Sequence, residues 1–201
     1  MYEEYKDRVE ERGMKVHALV LAGSQAFGYA RQESDHDLFA IVDKKIEQIF
    51  FKYHDVTITL FTTEQIEEIV NNPEGNTFAF FYLYASFIWS KHIIFRDDHI
   101  KKPYQLLQDN IDKLPAAALR LATRTKGRDE GRIVSIRRLH AALVGLHFVK
   151  TGELEYNIKK LCKLYGVSPK SYDYEWYFDT KVVADEMARK LGEALQPEAD
   201  Q

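Results

Sequence analysis

The sequence predicts an α+β protein: a small mixed β-sheet with flanking helices, followed by a helical C-terminal unit. Three observations carry this. Short runs rich in Val, Ile, Leu and Phe crowd the first part of the chain. Asn72-Pro73 then marks a break, because the residue before a proline is pushed out of helical geometry. Beyond it, apolar residues return at helical spacing, most clearly in Arg132–Thr151.

Val16–Ala22 (VHALVLA), 37–42 (DLFAIV) and 55–61 (DVTITLF) read as strands, each short and either apolar or alternating. Residues 62–71 open with a capping-box spacing, Thr62 three ahead of Gln65, and carry Ile66, Ile69 and Val70 on one face. A helix is expected over 76–89. Its run 78–89 is the greasiest in the chain, yet twelve residues fall short of the ~20 that span a bilayer, so it is expected in the core. A short strand at 92–95 and helices beginning near Pro103 and Pro115 follow. In Arg132–Thr151, Ile136, Leu139, Leu143 and Leu146 form a stripe and Gly152 is the stop. Helices over 153–165, closed by Gly166, and over 179–195 complete the prediction. The expected division is 1–98 and 99–201.

Composition narrows the classes. The chain has 201 residues, with 28 basic and 31 acidic side chains and a net charge of −3. A pI near 6.2 argues against a surface built wholly to hold nucleic acid. Cys162 is the lone cysteine, which excludes an internal disulfide framework and a cysteine-clustered zinc site and fits a reducing cytoplasmic setting. The opening residues are charged and lack the apolar stretch of a signal peptide, so no membrane association is expected.

One segment concentrates chemistry: a strand running into Gly23-Ser24, then ten residues, then Asp35-His36-Asp37 at the head of another strand. Gly23 permits a tight turn and close approach of a ligand. Ser24 offers a hydroxyl and an N–H at the start of a helical turn, where phosphate is favoured. Asp35 and Asp37, two apart on a strand, share a face and make a hard-oxygen site suited to Mg²⁺. Asp55, heading the third strand, is placed to add a carboxylate. Three such groups could hold two metals for an in-line phosphoryl displacement.

The order of hydrophobic-Gly-Ser, ten residues and Asp-x-Asp-hydrophobic resembles the nucleotidyltransferase superfamily of DNA polymerase beta. The segment Gly-Ser-Gln-Ala-Phe-Gly-Tyr-Ala-Arg with Ser-Asp-His-Asp-Leu is similar to its small bacterial, archaeal and phage members. The resemblance covers about residues 16–60. A weaker echo of predicted nucleotidyltransferases with a helical C-terminal half lies in Asn71-Asn72-Pro73, in Arg138-Leu139-His140 and in Gly152-Glu153-Leu154. It implies that 1–98 is a catalytic domain and that Asp35, Asp37 and Asp55 bind catalytic Mg²⁺. Asp55 would also help activate the acceptor, and Gly23 and Ser24 would hold the β- and γ-phosphates of an NTP. His36 stands where that family is usually apolar and is expected to point away from the metals.

The expected activity is transfer of a nucleoside monophosphate from an NTP to a hydroxyl, with pyrophosphate leaving. A small molecule such as an aminoglycoside, or a protein, is favoured as acceptor over an RNA end, and residues 99–201 would shape the acceptor side. The alternative is a non-catalytic nucleotide-binding or antitoxin-like partner-binding module. A sugar-nucleotide glycosyltransferase would need a larger nucleotide-binding sheet than these strands allow.

Other features have plainer readings. Arg120, Arg124, Lys126, Arg128, Arg132, Arg137 and Arg138 form a basic run that usually means a solvated face, although the loop 125–131 could supply phosphate contacts. Asp43 fits a turn. His140 and His147 lie on the apolar side of their helix and read as buried and satisfied, and Cys162 reads as core filler. Tyr172, Tyr174, Trp176, Tyr177 and Phe178 could cover the helical unit or form an interaction surface.

Overall fold

The computed structural model describes residues 2–28, 30, 34–44, 50–124, 132–168 and 177–196. The architecture is α+β, with a five-stranded mixed sheet among the described residues. In chain order the elements begin α1 (Glu3–Glu10), β1 (Val16–Ala22), α2 (Gly23–Phe27), β2 (His36–Val42), β3 (Phe50–Tyr53), β4 (Val56–Thr62) and α3 (Thr63–Asn71). They continue with α4 (Thr77–Leu83), a π-helical turn Tyr84–Trp89, β5 (Ile93–Arg96), a 3₁₀ turn Asp98–Ile100 and α5 (Lys101–Asp109). After a second 3₁₀ turn, Ile111–Lys113, come α6 (Leu114–Thr123), α7 (Arg132–Thr151), α8 (Ile158–Leu164) and α9 (Tyr177–Ala194). Among the described residues no helix is long and apolar enough to cross a membrane.

The chain forms two compact units, one of Met1–Asn72 with Tyr82–Ile111, the other of Pro73–Phe81 with Asp112–Gln201. In the first, the strand order is β3-β4-β2-β1-β5. β2 lies antiparallel to β1 and parallel to β4, while β3 and β5 pair antiparallel at the edges. Alternation divides the strands between two faces. Leu38, Ala40 and Val42 of β2 join Val56, Ile58 and Leu60 of β4 and Leu19 of β1 in one buried cluster, capped by Val9 of α1. The opposite face carries Phe39 and Phe61, whose ring centres are 5.3 Å apart.

The start of α3 follows from its sequence. Thr62 Oγ1 accepts from the Gln65 N–H and Gln65 Oε1 accepts from the Thr62 N–H, a reciprocal capping box. The apolar run 76–89 is α-helical only to Leu83 and then widens into a π turn, in which Tyr84 is fully buried and its hydroxyl donates to the Leu107 carbonyl at 2.6 Å.

In the second unit α7 is packed on most of its circumference. Every residue from 139 to 144 has zero exposure, so the stripe expected of it is only part of its buried surface. Gly145 lets its neighbours come close, since a Cβ there would stand 2.7 Å from Leu191 Cδ2 of α9 and 2.8 Å from Ala118 Cβ of α6.

The helix expected over 153–165 forms only as α8, because residues 153–157 do other work. The Tyr156 carbonyl accepts from His140 Nε2 at 2.7 Å, its hydroxyl donates to the Phe81 carbonyl, and Asn157 Oδ1 caps α8 through the Lys160 N–H. Asn157 is extended, with φ −72° and ψ 106°, as the cap of α8, so the helix does not run back through it.

Candidate functional site

The site is built where β1 ends and β2 begins. Ala22, the last residue of β1, is the register partner of Asp37. Gly23 then takes φ +63°, in the left-handed region, and starts α2. Its lack of a side chain is also a matter of space. A Cβ on Gly23 would meet the carboxylate of Asp37 far inside van der Waals contact. Ser24, half-buried, is in the first turn of α2, and its carbonyl accepts from the Gly28 N–H as Gly28 closes the helix at φ +83°. Phe27 is completely buried and packs its ring near Tyr82 and Trp89, which anchors this five-residue helix. Gln25 donates to the Ser34 carbonyl, tying α2 to the approach to β2.

Register carries the site outward. Asp37 pairs with Thr57 on β4, and Thr57 pairs with Lys52 on β3. Paired positions share a face, so Asp37, Thr57 and Lys52 form a row across three strands. Asp35 lies just ahead of β2, more than half exposed, with Oδ2 3.6 Å from Lys52 Nζ. The sequence reading missed Lys52 and Thr57. The alternation of β4 could have found Thr57, whereas Lys52 depends on a hairpin register that nothing local announces.

Asp55 goes elsewhere. It occupies the turn between β3 and β4 beside His54, which takes φ +52°. Its backbone carbonyl accepts from the His36 N–H at 2.8 Å, while its carboxylate, 68% exposed, lies 3.8 Å from His36 Nε2. His36 in turn meets the Tyr2 hydroxyl through Nδ1 at 2.7 Å. Burial, then the negative charge of Asp55, raises the Tyr2 phenol above its ordinary pKa, which keeps this hydroxyl protonated. His36 therefore points to the α1 side, away from Asp37, as strand alternation requires. Asp35, Asp37 and Asp55 do not bring three ligand atoms within 4.8 Å of one another.

The basic run separates into different fates. Arg138 is buried, donates Nε–H to the Ala122 carbonyl and pairs with Asp185. Arg120 pairs with Glu74 on the surface. Arg124 and Arg137 line a cleft of about 260 Å³ with Phe78, and the Arg137 guanidinium lies 5.4 Å from the centre of that ring. Lys126, Arg128 and the loop 125–131 lie outside the described residues, as do Tyr172, Tyr174 and Trp176 and the side chains of Arg132, Tyr177 and Phe178. His140 and His147 are both buried and hydrogen-bonded, to the Tyr156 carbonyl and the Tyr165 hydroxyl. Burial pushes the Cys162 thiol up to about 12, so it stays an unreactive core group.

The arrangement sets the Asp37 carboxylate against Gly23, in the space a side chain there would take, and the Asp35 carboxylate toward Lys52. Asp35 and Asp37 offer oxygen donors alone, the kind that Mg²⁺ takes alongside water and substrate phosphates. Asp55, held toward His36, does not join them in this conformation. Compared with known proteins, the chain matches no family model and no curated protein, and its site stands on its own geometry.

Proposed function

We propose that this protein is a nucleotidyltransferase, moving a nucleoside monophosphate from an NTP to a hydroxyl acceptor and releasing pyrophosphate. The observation that carries the reading is the Asp37 carboxylate lying directly over Gly23, at a strand-to-helix turn whose next residue is Ser24. The missing side chain of Gly23 lets the Asp37 carboxylate stand against this turn, where it could share a cation with an approaching phosphate chain. In the reaction, the acceptor oxygen bonds the α-phosphorus and the bond from that phosphorus to the bridging oxygen breaks. Pyrophosphate leaves with the electron pair, and the hydroxyl proton passes to a base.

In this reading Asp35 and Asp37 would hold Mg²⁺ against the triphosphate, and Gly23 and Ser24 would cradle its outer phosphates. When bound, the metal supplies charge neutralisation on the phosphoryl oxygens. Lys52, 3.6 Å from Asp35, neutralises part of that carboxylate's charge. Asp55 would take the acceptor proton, or complete a two-metal site, after parting from His36.

The test is pyrophosphate release or label transfer in Mg²⁺ over a panel of small-molecule, protein and RNA-end acceptors. Asp35→Asn combined with Asp37→Asn should lower turnover by about a thousandfold or more. Turnover at the wild-type rate in that variant would sink the proposal. The separation of Asp55 from the other two carboxylates favours a second reading, a module that binds nucleotide or a partner without chemistry. Calorimetry separates them: binding of ATP with Mg²⁺ and no turnover on any acceptor would favour the module.

A further inference from the structure

The geometry points to a second, different metal site, for a divalent d-block cation such as Zn²⁺, made by His17, Asp97 and His99. It lies at the other end of β1 from Gly23, six residues or about 20 Å along the strand. His17 is 8% exposed and stands where β1 slips register against β2, between Val16 and Ala18. Such a bulge re-aims a side chain. β5 runs beside β1, and the residue just after it, Asp97, donates its N–H to the His17 carbonyl at 2.9 Å. The backbone thus fixes Asp97 beside His17, although the two are 80 residues apart in sequence.

Both carboxylate oxygens are already directed. Oδ2 is 3.0 Å from His17 Nδ1. Oδ1 accepts the His99 N–H at 2.9 Å and lies 3.3 Å from His99 Nδ1. The two imidazole rings stack with centres 4.6 Å apart and 29° between their planes. One ligand atom from each of the three residues falls within 4.8 Å of the others. Metal bonds of about 2.0–2.2 Å in tetrahedral geometry set ligand atoms roughly 3.3–3.5 Å apart, so movements of about an ångström bring these atoms onto one cation.

The donor set names the kind of ion. Two imidazole nitrogens and one carboxylate suit Zn²⁺, Co²⁺ or Ni²⁺, whereas Mg²⁺ takes oxygen. A metal held by Nδ1 would leave the ring proton on Nε2. Three protein ligands leave a fourth place for water or a small anion. Asp97 also borders a cleft of about 480 Å³ with Arg96, Asp98, Lys101, Tyr104 and Gln105, through which such a ligand can arrive.

The test uses the untagged full-length protein, stripped with a chelator, dialysed, and titrated with Co²⁺ and then Zn²⁺. The expected result is one Co²⁺ per chain with the visible bands of a four- or five-coordinate nitrogen–oxygen site, bleached by Zn²⁺. His99→Ala changes a ring that is 64% exposed and so leaves the core intact, as circular dichroism should verify. It should weaken Co²⁺ binding at least about tenfold and remove the bands. Asp35→Asn with Asp37→Asn should leave the bands unchanged, which keeps this site separate from the proposed transferase centre. The inference is overturned if no Co²⁺ or Zn²⁺ binds at roughly 100 μM, or if His99→Ala and His17→Gln bind both ions as the wild type does.

Discussion

The carboxylate of Asp37 fills the space into which a side chain at position 23 would grow. A Cβ on Gly23 would stand 2.1 Å from Oδ2 and 2.8 Å from Cγ, and the backbone there has φ +63°. Gly23→Ala therefore meets two separate penalties, left-handed strain and overlap with a group that cannot retreat through the sheet. Together these should cost about 3 kcal/mol of stability. Urea denaturation checks the first consequence. Transfer activity checks the second, and should be lost even under conditions where the variant is folded, because Asp37 is displaced.

Asp55 divides the two functional readings. Its carboxylate is 68% exposed and loosely placed 3.8 Å from His36, so Asp55→Asn should leave the melting temperature within a degree or two. If it serves the transferase centre by moving from His36, turnover should fall by roughly ten- to a hundredfold, less than in the Asp35 and Asp37 double variant. Unchanged turnover in a transferase that needs Asp37 would confine Asp55 to its turn.

Thr62 both ends β4 and caps α3, and it is only 3% exposed. Thr62→Ala removes the acceptor for the Gln65 N–H, while the Thr62 N–H still donates to Gln65 Oε1. The loss should be about 1 kcal/mol, and Thr62→Ser, which keeps the hydroxyl, should recover much of it in chemical denaturation.

Stability should fall as acid rises through one narrow window. His140 is fully buried, donates Nε2–H to the Tyr156 carbonyl, and burial lowers its pKa from 6.5 to about 4. The unfolded chain takes up the proton near pH 6.5 and the folded chain only near 4, so protons bind preferentially to the unfolded state between them. This histidine alone should remove up to about 3 kcal/mol between pH 6.5 and 4. His140→Gln keeps a donor for Tyr156 but no titration. Its urea midpoint should show a correspondingly shallower fall over that window than the wild type.

What the sequence made legible was local. The β-branched runs of β1, β2 and β4, the Thr62–Gln65 capping box and the Gly152 stop of α7, at φ +72°, all depend on residues within a few positions of one another. The closeness of Gly23 to Asp37, fourteen residues on, was not legible in this way, since it depends on the antiparallel register of β1 and β2. The unread elements lack such signals. α1 is charged and buries only Val9, so it has no apolar stripe to betray it. β3 is a four-residue edge strand paired with β4 alone. Residues 153–157 look helical in isolation, but Asn157 is extended and caps α8 with its own side chain. The placement of Asp55 and the meeting of His17 with Asp97 were equally hidden, one set by a turn at positive φ and the other by a pairing across most of the sheet unit.

The chain passes between the two units three times: residues 73–81 belong to the second, residues 82–111 return to the first, and residue 112 onward belongs to the second again. No single cut divides them. A chain ending at 72 lacks β5 of the sheet, and a piece starting at 112 lacks residues 73–81 of the helical unit. During synthesis, the sheet cannot close its β1–β5 edge until residue 96 has left the ribosome, and segment 73–81 must wait for helices made later still. Such a gene resists modular shuffling: neither unit can be moved to another protein as one uninterrupted stretch.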